Sequence, residues 1–203
     1  VEEWSVAMKE MAALNPQILL PAHGKEITEP AVIQENFLAL AEAFDYIVNH
    51  TIDGLNAGKR KEQIFGSVQL PEHLANHPSL NVQYVTPNDI SKMVIKKYTG
   101  WWDDIPSNWT PASMEQQGNM IIELAGGNIP AITSYARKLI NQDIRLASHL
   151  TDWLFYARPD NAEVQQLVFD VYKSRILDPD TNTMELLTYL DQMTAAKERA
   201  RRR

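Results

Sequence analysis

The chain has 203 residues, 44% of them hydrophobic, and no cysteine. That is enough apolar material for one or two domains with their own core, while the missing cysteine excludes disulfides, thiolate metal sites and a cysteine nucleophile. A net charge of −7 excludes a general nucleic-acid binder, because phosphate neutralisation needs a basic face.

Glu2 to Leu14 places Trp4, Met8, Met11 and Ala12 on one side of a helix, and Asn15-Pro16 stops it. Ile18-Leu19-Leu20 then reads as a short buried strand ended by Pro21. One helix and one strand cannot bury their apolar faces alone. The first 24 residues therefore read as the end of an α/β domain, poorly anchored without its sheet.

The remainder reads as helical. A long helix is expected from Glu29 to about Asn56, with Thr28 as cap, Pro30 in the first turn and an Asn56-Ala57-Gly58 stop. Its apolar residues, Ile33, Phe37, Leu40, Phe44, Ile47, Thr51 and Leu55, recur in steps of four and three. Such a heptad-like seam suits either packing inside one subunit or a subunit interface. A shorter helix near Lys61 to Val68 and a loop-rich stretch to Leu80 follow. Thr86-Pro87-Asn88-Asp89 starts a helix carrying Ile90, Val94, Ile95 and Tyr98, ended by Gly100. Trp101, Trp102 and Trp109 then crowd a loop, as a plug for a core or interface or as a stacking platform for a ligand.

Five more helices are expected. The first opens at Thr110-Pro111 and ends at Ala125-Gly126-Gly127; the next two run from Ile129 to Ile140 and from Asp143 to Ala157. Pro159-Asp160-Asn161 caps a fourth with the stripe Val164, Leu167, Val168, Val171 and Tyr172. Asn182-Thr183-Met184-Glu185 resembles a capping box for the fifth. Gly127 to Asp160 has the length of one tetratricopeptide-like helix hairpin. The closing Arg199-Ala200-Arg201-Arg202-Arg203 reads as a solvated, frayed tail. No apolar run has the length of a membrane span. The chain opens on Val1 without an initiator methionine, so a missing leader carries no weight and the compartment stays open.

Few residues offer chemistry. No phosphate-cradling glycine loop and no Gly-x-Ser-x-Gly elbow is present. His50 and His149 sit in helices and read as structural. His73 and His77 have the spacing that sets two ligands on one helical face, but lack the zincin glutamate and are crowded by Pro71 and Pro78. His23 follows the apolar run within Pro21-Ala22-His23-Gly24. It is either a loop residue or a metal ligand delivered by a tight turn.

Leu19-Leu20-Pro21-Ala22-His23-Gly24 resembles the final histidine motif of the metallo-β-lactamase superfamily. Three further stretches are similar to the helical region of the alkylsulfatases. They are Tyr46 to Gly58, Tyr98-Thr99-Gly100-Trp101-Trp102-Asp103, and Glu123-Leu124-Ala125-Gly126-Gly127 with the segment Asp143 to Pro159 after it.

The resemblance implies a mainly α fold. Residues 1–28 would be a metallo-β-lactamase remnant, and residues 29–203 a helix-hairpin, tetratricopeptide-like dimerisation domain. It implies a homodimer, with the helix from Glu29 arching between subunits. It also implies an upstream metallo-β-lactamase portion with an His-x-His-x-Asp-His cluster, and two zinc ions per subunit with His23 ligating the second. The substrate would be an alkyl sulfate hydrolysed by metal-activated water. Where the family commonly has Tyr-Gly and then arginine, this chain has Tyr84-Val85 and Lys92, the candidate substrate contacts. Lysine offers a sulfate a point charge where arginine offers a two-pronged contact, so a different substrate ester is one alternative. A helical interaction module without a hydrolase parent is the other. For the fragment itself, the expected dimer seam is the Ile33 to Leu55 stripe with the tryptophan loop.

Overall fold

The computed structural model describes residues 1–201; Arg202 and Arg203 of the basic terminus lie outside the described residues. The chain divides into two compact units, Val1–Pro106 and Ser107–Arg203.

The first unit is built on one long helix. Helix α1 (Glu2–Ala13) and α2 (Pro30–Asn56) lie against each other, and α3 (Lys61–Gly66), the single turn α4 (Glu72–Ala75) and α5 (Pro87–Thr99) complete the unit. Pro30 opens α2 as expected, with Glu29 rather than Thr28 at the cap position. A proline suits the first turn because that turn's N–H groups have no intrahelical partner.

Much of the α2 stripe packs inside the unit: Ile33, Phe37, Ile47 and Thr51 are buried, while Leu40, Phe44 and Leu55 are half-buried. Ile33 and Phe37 form one cluster with Ala12, flanked by Met8, Met11, Leu19 and Ile27. Ile47 forms another with Val68 and Ile90. Phe37 is only 7% exposed, so a second subunit has nothing to reach there. Deeper along the helix the Thr51 hydroxyl donates to the Ile47 carbonyl at 2.7 Å and meets the Ser91 hydroxyl of α5 at 2.7 Å. A hydroxyl pair of this kind satisfies two buried groups that would otherwise cost stability. Gly54 lets α3 come close, because a Cβ there would sit 2.8 Å from the Ile64 side chain.

Two expectations for the N-terminus change. The buried strand at Ile18-Leu19-Leu20 is a single antiparallel bridge, Leu19 to Ile27, with Ile18 60% and Leu20 77% exposed. No neighbouring strand among the described residues pairs with it, so only Leu19 turns inward. The first 24 residues are nevertheless anchored. Besides its packing on α2, α1 is tied by a Lys9–Asp45 ion pair of 2.6 Å. Glu2 also takes hydrogen bonds from the Tyr98 hydroxyl at 2.5 Å and the Lys97 ammonium at 3.1 Å. The Tyr98 hydroxyl chiefly, with the backbone and Lys97, holds the Glu2 carboxyl down to about 2.

The second unit holds five helices: α6 (Met114–Leu124), α7 (Ile129–Ile140), α8 (Ile144–Ala157), α9 (Ala162–Ile176) and α10 (Thr183–Arg201). Helix α6 begins at Ser113, not Thr110-Pro111. A reciprocal capping box sets the start: Ser113 Oγ accepts from the Gln116 N–H at 3.1 Å, and Gln116 Oε1 accepts from the Ser113 N–H at 2.8 Å. Asn128, Asp143 and Asn161 cap the next three helices with side-chain oxygens. The expected box at α10 forms between Asn182 and Glu185.

Helix α9 lies against both α7 and α8, and α10 lies against α9. The expected stripe of Val164, Leu167, Val168, Val171 and Tyr172 is buried throughout. Helix α6 skips its sequence neighbour and packs on α8, where Gly118 passes the carbonyl of Trp153. Arg199, expected in a frayed tail, belongs to α10 and sets its guanidinium 5.8 Å from the Phe155 ring centre.

Candidate functional site

His23 sits at the tip of a turn closed by the Leu19–Ile27 bridge, whose two N–H···O bonds measure 2.9 and 3.0 Å. Gly24 takes a φ of +99° there, a conformation that L side chains avoid. The imidazole is exposed, and its ring centre lies 6.2 Å from that of Tyr84 at 37°. Among the described residues no hydrogen bond engages either ring nitrogen. The structure thus brings together two expected site residues that are 61 positions apart in sequence.

Lys92 is engaged elsewhere. Its ammonium pairs with Asp89 one turn back at 3.1 Å and lies 5.0 Å above the Phe65 ring of α3. That placement puts it in a shallow depression with Lys96, Trp101 and Trp102. Asp89 meanwhile closes the capping box of α5 with Thr86. The Thr86 and Lys92 contacts outweigh burial and hold its carboxyl below the usual range.

Sequence reasoning missed Lys61. Its side chain is nearly buried, donates to the Trp102 carbonyl, and pairs with Asp104 at 3.2 Å. One cation thereby fastens the tryptophan loop to α3. A lysine opening an otherwise amphipathic helix, with two aspartates following a tryptophan pair, was the available signal.

The other histidines are occupied. His73 bonds Glu42 at 2.8 Å, while His77 takes Ser79 on Nδ1 at 2.7 Å and faces Glu35 with Nε2 at 3.4 Å. Glu35 and Glu42 stand two turns apart on α2; only His73 bonds that helix, while the buried His77 Nε2 makes no hydrogen bond among the described residues. His50 bonds Ser67 at 3.1 Å, and His149 stacks on Trp153. Among the described residues no group of three or more metal-ligating side chains is placed to hold an ion. Likewise, no described helix is long and apolar enough to cross a membrane.

Residues 60–198 match the family model for alkyl sulfatase dimerisation. The chain belongs to this family. It is 22% identical over 151 residues to a linear primary-alkylsulfatase of a Pseudomonas strain, covering 74% of this chain and 29% of that protein. It is 24% identical over 153 residues to an alkyl/aryl-sulfatase of Saccharomyces cerevisiae, covering 75% and 24%. Among solved structures it is similar to the stereoselective inverting sec-alkylsulfatase Pisa1 from Pseudomonas sp. The TM-score is 0.85 at 20% identity, over 98% of this chain and 32% of that one. A double mutant of the same sulfatase gives 0.85 at 22% identity, over 98% and 31%. The likeness in fold to these sulfatases therefore extends over nearly the whole chain, and the chain spans less than a third of these relatives.

Proposed function

We propose that this chain is the dimerising portion of an alkylsulfatase-type sulfuric ester hydrolase, and that it lends one residue, His23, to a metal centre completed elsewhere. The family match over residues 60–198 carries the reading. The two curated relatives, a linear primary-alkylsulfatase and an alkyl/aryl-sulfatase, support it. In this reading residues 1–28 end a metallo-β-lactamase domain and residues 29–203 form the dimerisation region. Ile33, Phe37 and Ile47 of α2 are packed inside the unit, so the homodimer contact would draw on the half-buried Leu40, Phe44 and Leu55 or on other surfaces.

The donor set bears on the metal directly. A zinc site takes at least three protein ligands, and the turn at His23 offers one imidazole, so this chain cannot hold zinc unaided. As a single contributed ligand His23 fits: it is exposed, carried on a closed turn, and flanked by the tilted ring of Tyr84. A bound zinc pair would supply hydroxide and polarise the ester. This chain's part is to present the imidazole through the Leu19–Ile27 turn and to set Tyr84 beside it; Lys92 would have to leave Asp89 and Phe65 to offer a sulfate its positive charge.

The test is sulfate release from dodecyl sulfate by the longest natural polypeptide containing this chain, beside the 203-residue chain alone. Turnover by the former and none by the latter is expected. A longer polypeptide that dimerises yet hydrolyses no sulfate ester would overturn the reading, in favour of another ester or of a plain helical module.

A further inference from the structure

Helices α8, α9 and α10 enclose a cleft of about 510 Å³ on the second unit, well apart in sequence from His23, Tyr84 and Lys92. Its charges are unevenly matched. Arg145 is paired with Asp143 at 3.2 Å, and Arg175 with Glu185 at 3.5 Å. Asp152, in the cleft wall, forms no ion pair among the described residues; one oxygen takes the Tyr172 hydroxyl at 2.5 Å.

The surroundings of Asp152 suit a positive guest. Tyr172 stacks on Tyr189 with ring centres 5.3 Å apart, and Tyr156 stands half-exposed on the same wall as Asp152. Aromatic faces attract cations, most of all where water is thinned out. The Tyr189 hydroxyl is fixed by Arg175 at 3.0 Å and reaches Glu185 at 3.2 Å, so the rings are held in place. Arg175 also covers one Tyr189 face at 4.9 Å, which leaves Asp152 and the Tyr156 side as the place for a further cation.

We propose that this cleft binds a small organic cation of the alkylammonium class, with the Asp152 carboxylate as counter-ion, Tyr172 as its orienting hydrogen-bond donor and Tyr156 as the aromatic wall. Burial pushes the Asp152 carboxyl above its ordinary range, against the pull of Tyr172 and the nearby His149. A bound cation favours the ionised form. Affinity should therefore fall as the pH drops through the Asp152 titration, with His149, Arg145 and Arg175 the other charged groups facing it.

The experiment titrates the 203-residue chain with n-butylammonium chloride, following tyrosine ring resonances by NMR against sodium chloride at equal ionic strength. Sodium butyl sulfate serves as the anionic counterpart. A saturable shift of the cleft tyrosines is expected with the ammonium alone, weakened at least tenfold by Asp152→Asn, which keeps an acceptor for Tyr172. Tyr156→Leu should weaken it severalfold with the helical circular-dichroism signal intact. A response equal to sodium chloride, unchanged affinity in D152N, or saturation by butyl sulfate instead would overturn the proposal.

Discussion

Gly118 tests the packing of the second unit most sharply. It lies inside α6 at the crossing with α8, where a Cβ would stand 2.0 Å from the Trp153 carbonyl oxygen and 2.7 Å from the Ala157 Cβ. Both obstacles are backbone or directly attached to it, so no rotamer change relieves them and the helices must separate. Alanine would gain about 1 kcal/mol of helix propensity over glycine. Forced overpacking typically costs about 1–3 kcal/mol, and a clash with a rigid carbonyl belongs at or beyond the upper end. The net expectation for Gly118→Ala is a loss of about 2 kcal/mol, lowering Tm by roughly 4–8 °C in a chain of this size. Gly66→Ala is the control, since nothing lies within 4 Å of its Cβ position. Thermal and urea unfolding followed by circular dichroism would measure both. A Gly118→Ala protein as stable as wild type would show that α6 does not approach α8 as described.

Other substitutions probe the first unit. Phe37→Ala should lose about 3–5 kcal/mol, the usual loss for a buried phenylalanine, and should leave the oligomeric state by light scattering unchanged; a monomer with undiminished stability would restore α2 as the dimer seam. Thr51→Val should cost about 1–3 kcal/mol by stranding the Ser91 hydroxyl. Adding Ser91→Ala should recover part of that loss, and strict additivity in a denaturant double-mutant cycle would refute the coupling. Glu2 titrates near 2 in the folded chain against an ordinary 4.5. Its contribution is therefore fully present above about pH 4.5 and is lost as the pH falls toward 2. Because Glu2 is partly solvated, that contribution is at most about 1 kcal/mol. Glu2→Gln should flatten the acid side of the stability profile, and an identical acid limb would remove the Tyr98–Glu2 latch.

Local signals made most helices legible. Capping residues and stop glycines announce themselves within four residues of chain, which is why Thr86, Asn161 and Asn182 were read correctly. The α9 stripe is equally local. What failed was knowledge of the partner. The α2 stripe says that something covers it, and only tertiary packing shows that α1 and the segments around Val68 and Ile90 do so. The Ile18-Leu19-Leu20 run has strand composition, but a strand needs a neighbour. The helix expected to open at Thr110-Pro111 starts at Ser113, where the reciprocal bond to Gln116 sets the cap. Gly118 carries no local signal, since its reason is the backbone of another helix. At the site, nothing within either motif showed that His23 and Tyr84 would meet, or that Lys92 would turn to Phe65.

His23, in the proposed function, is a metal ligand lent to a centre completed elsewhere. The most direct measurement is the zinc content, by mass spectrometry of the metal, of the longest natural polypeptide containing this chain, compared with its His23→Ala variant at matched folding. Two zincs per subunit falling to about one, with sulfate ester hydrolysis lost, is the expected result. Equal zinc content in the two proteins would contradict it and leave His23 as a turn residue beside Tyr84.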